Sequence, residues 1–337
     1  MGRVLVLGAG LTGALCSAML RSPSLQVTVW EKEREPGGRM SNTRWESQIA
    51  DWGAQYITRM PGTRQEHQRY YSELLEAGVL KPLEGLVEGM KNMEVGAKHF
   101  VAPLGTSSIV NYYLEQSGAN VKLGCDVSHV FLRDGELEVR MQNGGHKYFD
   151  TLVLSLPTPQ LLHLQGDLAN MMSPSQRSAL QKVRYSSRFA LVLFYKAGQE
   201  LDVPWVMKYV TDSPIICFLS LDNRKRSCGS LGGAPVLVAH SSVHFGAEQS
   251  QRDVEEVAQL IQSELQRLLP QLPSHMHHKA HRWHHSQVTV PVDGSPGHLI
   301  LHQRPLIACV GDYFTRSNFD GCIESALSLT TALKSLR

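Results

Sequence analysis

Apolar and polar positions along this chain follow two periods, and the periods alternate in a recognisable order. Residues 3–7 form a short, unbroken apolar run, as a strand buried on both faces requires. Residues 11–20 then place Ala14, Leu15, Ala18 and Met19 on one helical face. Ser22-Pro23-Ser24 ends that helix, and residues 26–30 read as a second strand closing on Glu31. Strand, turn, helix and strand within about 30 residues is the opening unit of a doubly wound sheet.

The pattern changes further on. Glu35-Pro36-Gly37-Gly38-Arg39-Met40 reads as a loop without regular structure, and residues 65–77 as a polar helix ended by Gly78. Residues 121–140 alternate as strands around the turn Arg133-Asp134-Gly135. Residues 151–156 are a buried strand stopped by Pro157 and Pro159, and strand-like runs follow at 189–195, 215–219 and 236–240. An amphipathic helix is predicted over 253–269, ended by Pro270. The last buried strand, 306–310, runs into Gly311-Asp312, and residues 323–336 read as a closing helix. The sequence shows no internal repeat and no low-complexity segment.

Composition narrows the class. A chain of 337 residues with 42% hydrophobic and 19% charged side chains can bury the cores of about two domains. The net charge of +2, from 33 basic and 31 acidic residues, gives no reason to expect nucleic acid or an anionic membrane as partner. An anionic ligand must therefore be held by a local cluster. Cysteines at 16, 125, 217, 228, 309 and 322 form no C-x-x-C unit and read as free thiols of a reducing compartment. Of these, Cys16, Cys217 and Cys309 sit in apolar runs and read as core. No stretch approaches the roughly 20 apolar residues of a membrane span. Gly8, Gly10, Thr12 and Gly13 interrupt the apolar N-terminus, so no cleaved signal is expected and the location reads as cytoplasmic, with unconventional export left open.

The chemistry-bearing motifs lie at the two ends. Gly8-Ala9-Gly10-Leu11-Thr12-Gly13 is a G-x-G-x-x-G that follows a buried strand and opens a helix, with Glu31 ending the next strand. Gly8 permits the tight turn, Gly10 the approach of a pyrophosphate, and Gly13 close packing of helix on strand. Glu31 is placed to accept ribose hydroxyls and to repel a 2′-phosphate. Gly37, Gly38 and Arg39 add close backbone and a phosphate-binding cation. Near the C-terminus, Asp312 is placed for a ribityl hydroxyl. Gly321, Cys322 and Ile323 read as a helix start whose N–H groups face a flavin carbonyl. An enzyme that binds NAD in this fold needs the first motif but not the distal one. The two-ended arrangement therefore points to FAD. It implies an α/β fold in which a discontinuous Rossmann-type FAD-binding domain (1–75, 97–160 and 286–337) carries an inserted β-rich substrate domain (76–96 and 161–285).

His275, His277, His278, His281, His284 and His285 cluster without a paired cysteine or carboxylate at ligand spacing. They read as a solvated surface, with no metal assigned.

Longer strings carry a resemblance. Asp51-Trp52-Gly53-Ala54-Gln55-Tyr56-Ile57-Thr58, Tyr185-Ser186-Ser187-Arg188, Trp283-His284-His285-Ser286-Gln287-Val288 and Ser317-Asn318-Phe319-Asp320-Gly321-Cys322 resemble the renalase family, FAD proteins related to the flavin amine oxidases. The similarity runs from the first strand to the last helix. It implies a p-hydroxybenzoate-hydroxylase-like fold and non-covalent FAD, with Thr12, Arg39, Gln55 and Tyr56 on the cofactor and the Val127 backbone against adenine. The implied activity is oxidation of the 2- and 6-dihydro isomers of NAD(P) to NAD(P)+, with oxygen reduced to hydrogen peroxide. A dihydropyridine that loses hydride becomes aromatic, so positioning matters more than an acid–base pair. Candidate substrate-wall residues are Tyr209, His240, Trp283 and His284, with Arg188 and Arg282 as candidates for the substrate's phosphates.

Two other readings stand beside this one. Monoamine oxidases share the FAD motifs, but the amine-caging aromatic position before the closing helix holds Cys322 here. The cysteine-bearing segment that tethers their flavin has no counterpart around residues 285–300. A secreted signalling protein acting without turnover is the other, and no receptor-binding surface is readable in the sequence.

Overall fold

The structure is a computed structural model, which describes residues 1–90, 94–226 and 233–335. Cys228 lies outside the described residues. The chain divides into two compact units, one made of Met1–Gly38, Ile109–Arg184 and Val288–Arg337, the other of Arg39–Ser108 and Tyr185–Gln287.

The first unit is built on a six-stranded sheet. Its order is His298–Gln303, Leu306–Val310, Thr151–Leu154, Gly2–Leu7, Leu25–Trp30 and Asn120–Lys122. All neighbours are parallel except the first two. The central strands are apolar on both faces because both are covered: Val4 to Leu7, Leu152 to Leu154 and Ile307 to Val310 are all buried. Helix Leu11–Met19 packs against helix Phe319–Ser335, so the two ends of the chain meet in this unit. A second, four-stranded sheet (His146–Phe149, Glu136–Met141, Val127–Arg133, Gln165–Gly166) carries the predicted hairpin. Its turn needs two left-handed residues, Asp134 (φ 49°) and Gly135 (φ 82°).

The second unit is built on a mostly antiparallel sheet of His277–Trp283, Arg188–Phe194, Val236–Ser241, Ile216–Leu221, Met207–Tyr209 and Val87–Glu88. Period-two alternation sorts its side chains. Phe189, Leu191 and Leu193 pack with Leu237, Ala239 and the apolar stripe Val257, Ala258, Ile261 and Leu265 of helix Val254–Leu268. Val192, Phe194, Val236 and Val238 point the other way, onto Ala50, Trp45 and Trp52. Asp253 caps the helix by accepting from the N–H groups of Glu255 and Glu256.

The units differ from the boundaries expected above. Residues 39–75 and 97–108 belong to the second unit. The reason is that Ile57–Arg59 pairs with Lys98–Val101 and Ala50 packs on the antiparallel sheet. Residues 161–184 belong to the first, where Gln165–Gly166 pairs with His129 and Val130. The loop at 35–40 contains one 3-10 turn, Gly38–Met40.

Candidate active site

Ligands of doubly wound sheets sit at the carboxyl ends of the strands. In the first unit, three parallel neighbours end there in Gly311-Asp312, Ser155 and the glycine turn, and the next ends in Glu31. The distal Gly-Asp is thus two strands from the glycine turn, about 10 Å across the sheet. Strand order, not sequence distance, brings the predicted motifs together.

Steric facts assign each glycine its task. A Cβ on Gly8 would meet the Ser155 carbonyl oxygen at 2.6 Å, and one on Gly13 would meet that of Gly8 at 2.1 Å. The protein's own packing demands both. At Gly10 a Cβ would meet nothing within 4 Å. Nothing in the chain itself requires glycine there, whereas a closely approaching ligand does. Helix Leu11–Met19 starts at Gly10 with no side-chain cap and no acidic residue in its first turn, so its positive end is left for an anion. The Gly37–Gly38 segment lies across this turn, with Gly37 N–H donating to the Ala9 carbonyl at 2.9 Å. Thr12 is buried at the helix start. Glu31 is buried too; one carboxylate oxygen accepts from Ala9 N–H at 2.8 Å and the other from Glu33 N–H at 3.0 Å. A carboxylate has lone pairs for about two further donors, so ribose hydroxyls can still be served. These features fit a dinucleotide.

At the other end of the cradle, Asp312 is buried and accepts from Ser317 Oγ at 2.7 Å. Gly311 (φ 152°) holds its backbone in a glycine-only region, and the Tyr313 ring fills the place of a Cβ. The closing helix starts earlier than the sequence suggested. It begins at Phe319 because Asn318 caps it, accepting from Gly321 N–H at 2.8 Å through its side chain and from Cys322 N–H at 3.2 Å through its carbonyl. Cys322 and Ile323 therefore lie within the first helical turns, and Ile323 is fully buried. The Cys322 amide is thus spent within the helix, and what the helix start offers an anionic ligand is the positive end of its dipole. Val127 is buried at a bulge in its strand, opposite Met141.

In the second unit the Asp51–Tyr56 segment is held by a buried charge cluster. Lys225, fully buried, directs its ammonium at Asp222 (2.8 Å), Asp51 (3.0 Å) and the Gln55 carbonyl oxygen (3.0 Å). Three acceptors saturate its three protons. Asp222 also accepts from Asp51 N–H and from Arg226, each at 2.6 Å. Burial would raise the Asp222 carboxyl, but Lys225 and Arg226 outweigh it and hold it at about 2. Asp51 accepts further from Asn42 Nδ2 and from Thr106 N–H. The Gln55 side chain donates to the Asp51 and Gly53 carbonyls. Its carboxamide is thus committed inside the protein, and only its backbone remains for a cofactor. Gly53 is pressed against the Arg39 carbonyl, to which Ala54 N–H also donates at 3.0 Å.

Register places one row of side chains across the sheet: Tyr209 opposite Phe218, Phe218 opposite His240, His240 opposite Ala190, and Ala190 opposite His281. Arg188 and Trp283, themselves paired, stand next to it on the same face. Tyr209 and Phe218 meet edge to face at 5.1 Å, as do His281 and Trp283 at 4.2 Å. His240 Nε2 and Trp283 Nε1 both donate to the Trp52 carbonyl, at 3.0 and 2.9 Å. That bond fixes the proton of neutral His240 on Nε2. Desolvation first, then the Arg188 guanidinium, pulls His240 down to about 4, so it is neutral at ordinary pH. The Tyr56 and Tyr209 hydroxyls bond to each other, and burial raises Tyr209, which stays protonated.

Three of the four predicted wall residues, Tyr209, His240 and Trp283, thus converge on the Asp51–Tyr56 segment. His284 does not; it is exposed in the turn after its strand. Arg282 is engaged elsewhere, donating to the Ser250 and Arg252 carbonyls. Arg188 stays on the aromatic face, donating to Cys217 Sγ at 2.9 Å and the Ser241 carbonyl at 3.0 Å. Cys217 is not core, as its apolar run suggested. A bulge between Ile216 and Phe218 brings its sulfur to Arg188, while burial still raises the thiol. Lys225 and Asp222 escaped the sequence reading because Arg224-Lys225-Arg226 looks like a solvated charge run. The one available signal was the Asp222/Lys225/Arg226 spacing directly after an apolar strand. Among the described residues no group of three or more His, Cys, Asp or Glu could hold a metal ion, and no helix is long and apolar enough to cross a membrane.

Comparison with known proteins agrees with this geometry. Residues 6–74 match the family model of an NAD(P)-binding Rossmann-like domain, and residues 84–332 that of flavin containing amine oxidoreductases. Renalase of Mus musculus is 45% identical over 340 residues, spanning 99% of each chain. A protein assigned as a protoporphyrinogen oxidase, from Exiguobacterium sp. 255-15, superposes with a TM-score of 0.74 over 100% of this chain and 99% of its own, at 12% identity. A putrescine oxidase solved with putrescine gives 0.69 over 99% of both chains, also at 12% identity. At such identity the likeness is one of fold. Fold, cradle and family together define a flavin-dependent oxidoreductase whose cofactor is FAD. The chain belongs to the renalase family, within the flavin containing amine oxidoreductases.

Two outcomes are expected. Glu31→Gln, nearly isosteric, turns an NH2 toward one of the two backbone N–H groups that the carboxylate serves. It should lower stability by about 1–3 kcal/mol and let FAD leave on dilution; unchanged denaturant midpoint and flavin retention would refute the role of Glu31. The second concerns pH. Between about pH 6.5 and 4 the unfolded chain binds a proton at His240 that the fold refuses, so stability contributed by neutral His240 is present above that window and lost as pH falls through it. Denaturant titrations across the window should show a shallower pH slope for His240→Gln than for the parent protein, and equal slopes would disprove the depressed pKa.

Proposed function

We propose that the protein oxidises misreduced nicotinamide dinucleotides, the 2- and 6-dihydro isomers of NAD(P), to NAD(P)+, with oxygen reduced to hydrogen peroxide. The observation that carries this reading is the face made by Tyr209, Phe218, His240, Trp283 and Arg188. It offers flat rings, a neutral imidazole and one guanidinium. Rings suit a planar dihydropyridine, and the guanidinium suits a ligand that carries phosphates. The same guanidinium opposes a protonated amine. A donor that becomes aromatic on losing hydride needs no strong base, and the one imidazole here is held far below the range of an effective base. FAD, when bound, supplies the two-electron acceptor and passes the electrons to oxygen. The chain's own residues hold the ring plane, exclude water and keep the site uncharged apart from Arg188.

The cofactor is held without a covalent bond in this reading. Among the described cysteines, Cys16 and Cys309 are fully buried, and burial raises the Cys16 thiol to about 12, which keeps it unreactive. Acid precipitation should leave yellow flavin in the supernatant; colour retained by the washed pellet would show a tether.

Substrate class is tested by anaerobic mixing. A 6-dihydroNAD preparation should bleach the bound flavin within seconds and yield NAD+, and admitted oxygen should restore the colour with about one peroxide per turnover, since two electrons reach oxygen. Catecholamines and ordinary 4-dihydro NAD(P)H should leave the flavin oxidised on that timescale. Rapid bleaching by an amine, with none by the dihydro isomers, would replace this reading by amine oxidation.

A further inference from the structure

The Lys225 cluster lies beyond the reacting face, yet its hydrogen bonds lead there. Lys225 Nζ donates to Gln55 Oε1 at 3.0 Å, and Gln55 Nε2 donates to the Asp51 carbonyl and, at 3.1 Å, to the Gly53 carbonyl. Those two carbonyls flank Trp52, whose own carbonyl accepts from His240 and Trp283. The segment has little freedom otherwise: a Cβ on Gly53 would lie 2.1 Å from the Arg39 carbonyl oxygen, and Trp52 Nε1 donates to Ser41 Oγ at 3.0 Å. A single carbonyl with two lone pairs thus orients two side chains of the reacting face, and an ammonium with no exposed surface holds the turn that carries it.

We propose that the buried Lys225–Asp51–Asp222–Gln55 cluster is a positioning device, which sets the Trp52 carbonyl through Gln55 and thereby the ring orientation of His240 and Trp283. Lys225 and Gln55 are positioning residues here, acting through the backbone. The proposal rests on the preceding functional reading only for its kinetic readout.

Gln55→Glu separates positioning from stability. The new carboxyl still offers Lys225 one oxygen, so the ammonium keeps three acceptors, but its second oxygen, protonated in so buried a place, can donate to only one of the two carbonyls that Gln55 serves. Lys225→Met, by contrast, leaves Asp51 and Asp222 without their shared cation and should mainly destabilise the fold. The FAD-loaded Gln55→Glu protein should retain its fold while histidine-labelled NMR shows His240 losing its single Nε2–H form and the Trp283 indole N–H signal moving. Turnover of 6-dihydroNAD should fall by about tenfold or more in kcat with a smaller change in KM, as expected when reacting groups are misplaced rather than binding lost. A Gln55→Glu protein with unchanged His240 and Trp283 signals overturns the proposal whatever its rate. If the parent enzyme does not oxidise dihydropyridines at all, the substrate reading fails, and the NMR comparison alone decides this inference.

Discussion

One buried ammonium ion organises the second unit of this protein. Lys225 has no exposed surface, and each of its protons meets an acceptor. Two carboxylates and two cations, Asp51, Asp222, Lys225 and Arg226, make the cluster neutral as a set. Such a set contributes little net stability, because burying it costs nearly what pairing returns. Breaking it is another matter, since any one member removed leaves a charge uncompensated in a medium of low polarity, at a cost of about 3–5 kcal/mol. The arrangement is therefore poorly explained as a stabiliser. It is better explained by what it makes rigid: a turn of backbone whose carbonyls all have assigned donors.

The first unit solves a different problem, that of gathering segments far apart in sequence. Strands 306–310, 151–154, 2–7 and 25–30 lie side by side and parallel, so everything that follows them emerges along one edge. The glycine turn, Glu31 and Asp312 come to one edge of the sheet for that reason alone. This half was legible from sequence because its chemistry is backbone chemistry. A glycine whose Cβ would strike a carbonyl, as at Gly8 and Gly13, leaves a mark in the sequence that no side-chain repacking can imitate. Glu31 was legible for the same reason, standing at a strand end that the turn dictates.

The second unit was far less legible. The row of side chains from Tyr209 to His281 crosses five strands, and register, which sequence does not display, decides which residues share it. Tyr209, His240 and Trp283 were singled out, but Phe218 was not, and Cys217 was read as core because a bulge is invisible in an apolar run. Lys225 was hidden by two flanking arginines. Gln55 was recognised as a position of importance but for contact with a ligand, whereas its side chain turned out to bridge backbone and ammonium. The boundaries of the units also eluded the sequence, since residues 39–75 carry no composition break that would separate them from the glycine motif.

The open space at Gly10 has a consequence for the life of the chain in a cell. A helix that starts without a side-chain cap, at a glycine with open space where a Cβ would stand, is a part of the native state that a bound dinucleotide would complete. A ligand that binds only the folded chain stabilises it by mass action, by about 2.7 kcal/mol at a hundredfold excess over its dissociation constant. Newly made protein short of the vitamin-derived cofactor would populate open forms more often and be cleared faster by proteases. Abundance of the protein would then follow flavin supply even where the gene's expression does not change.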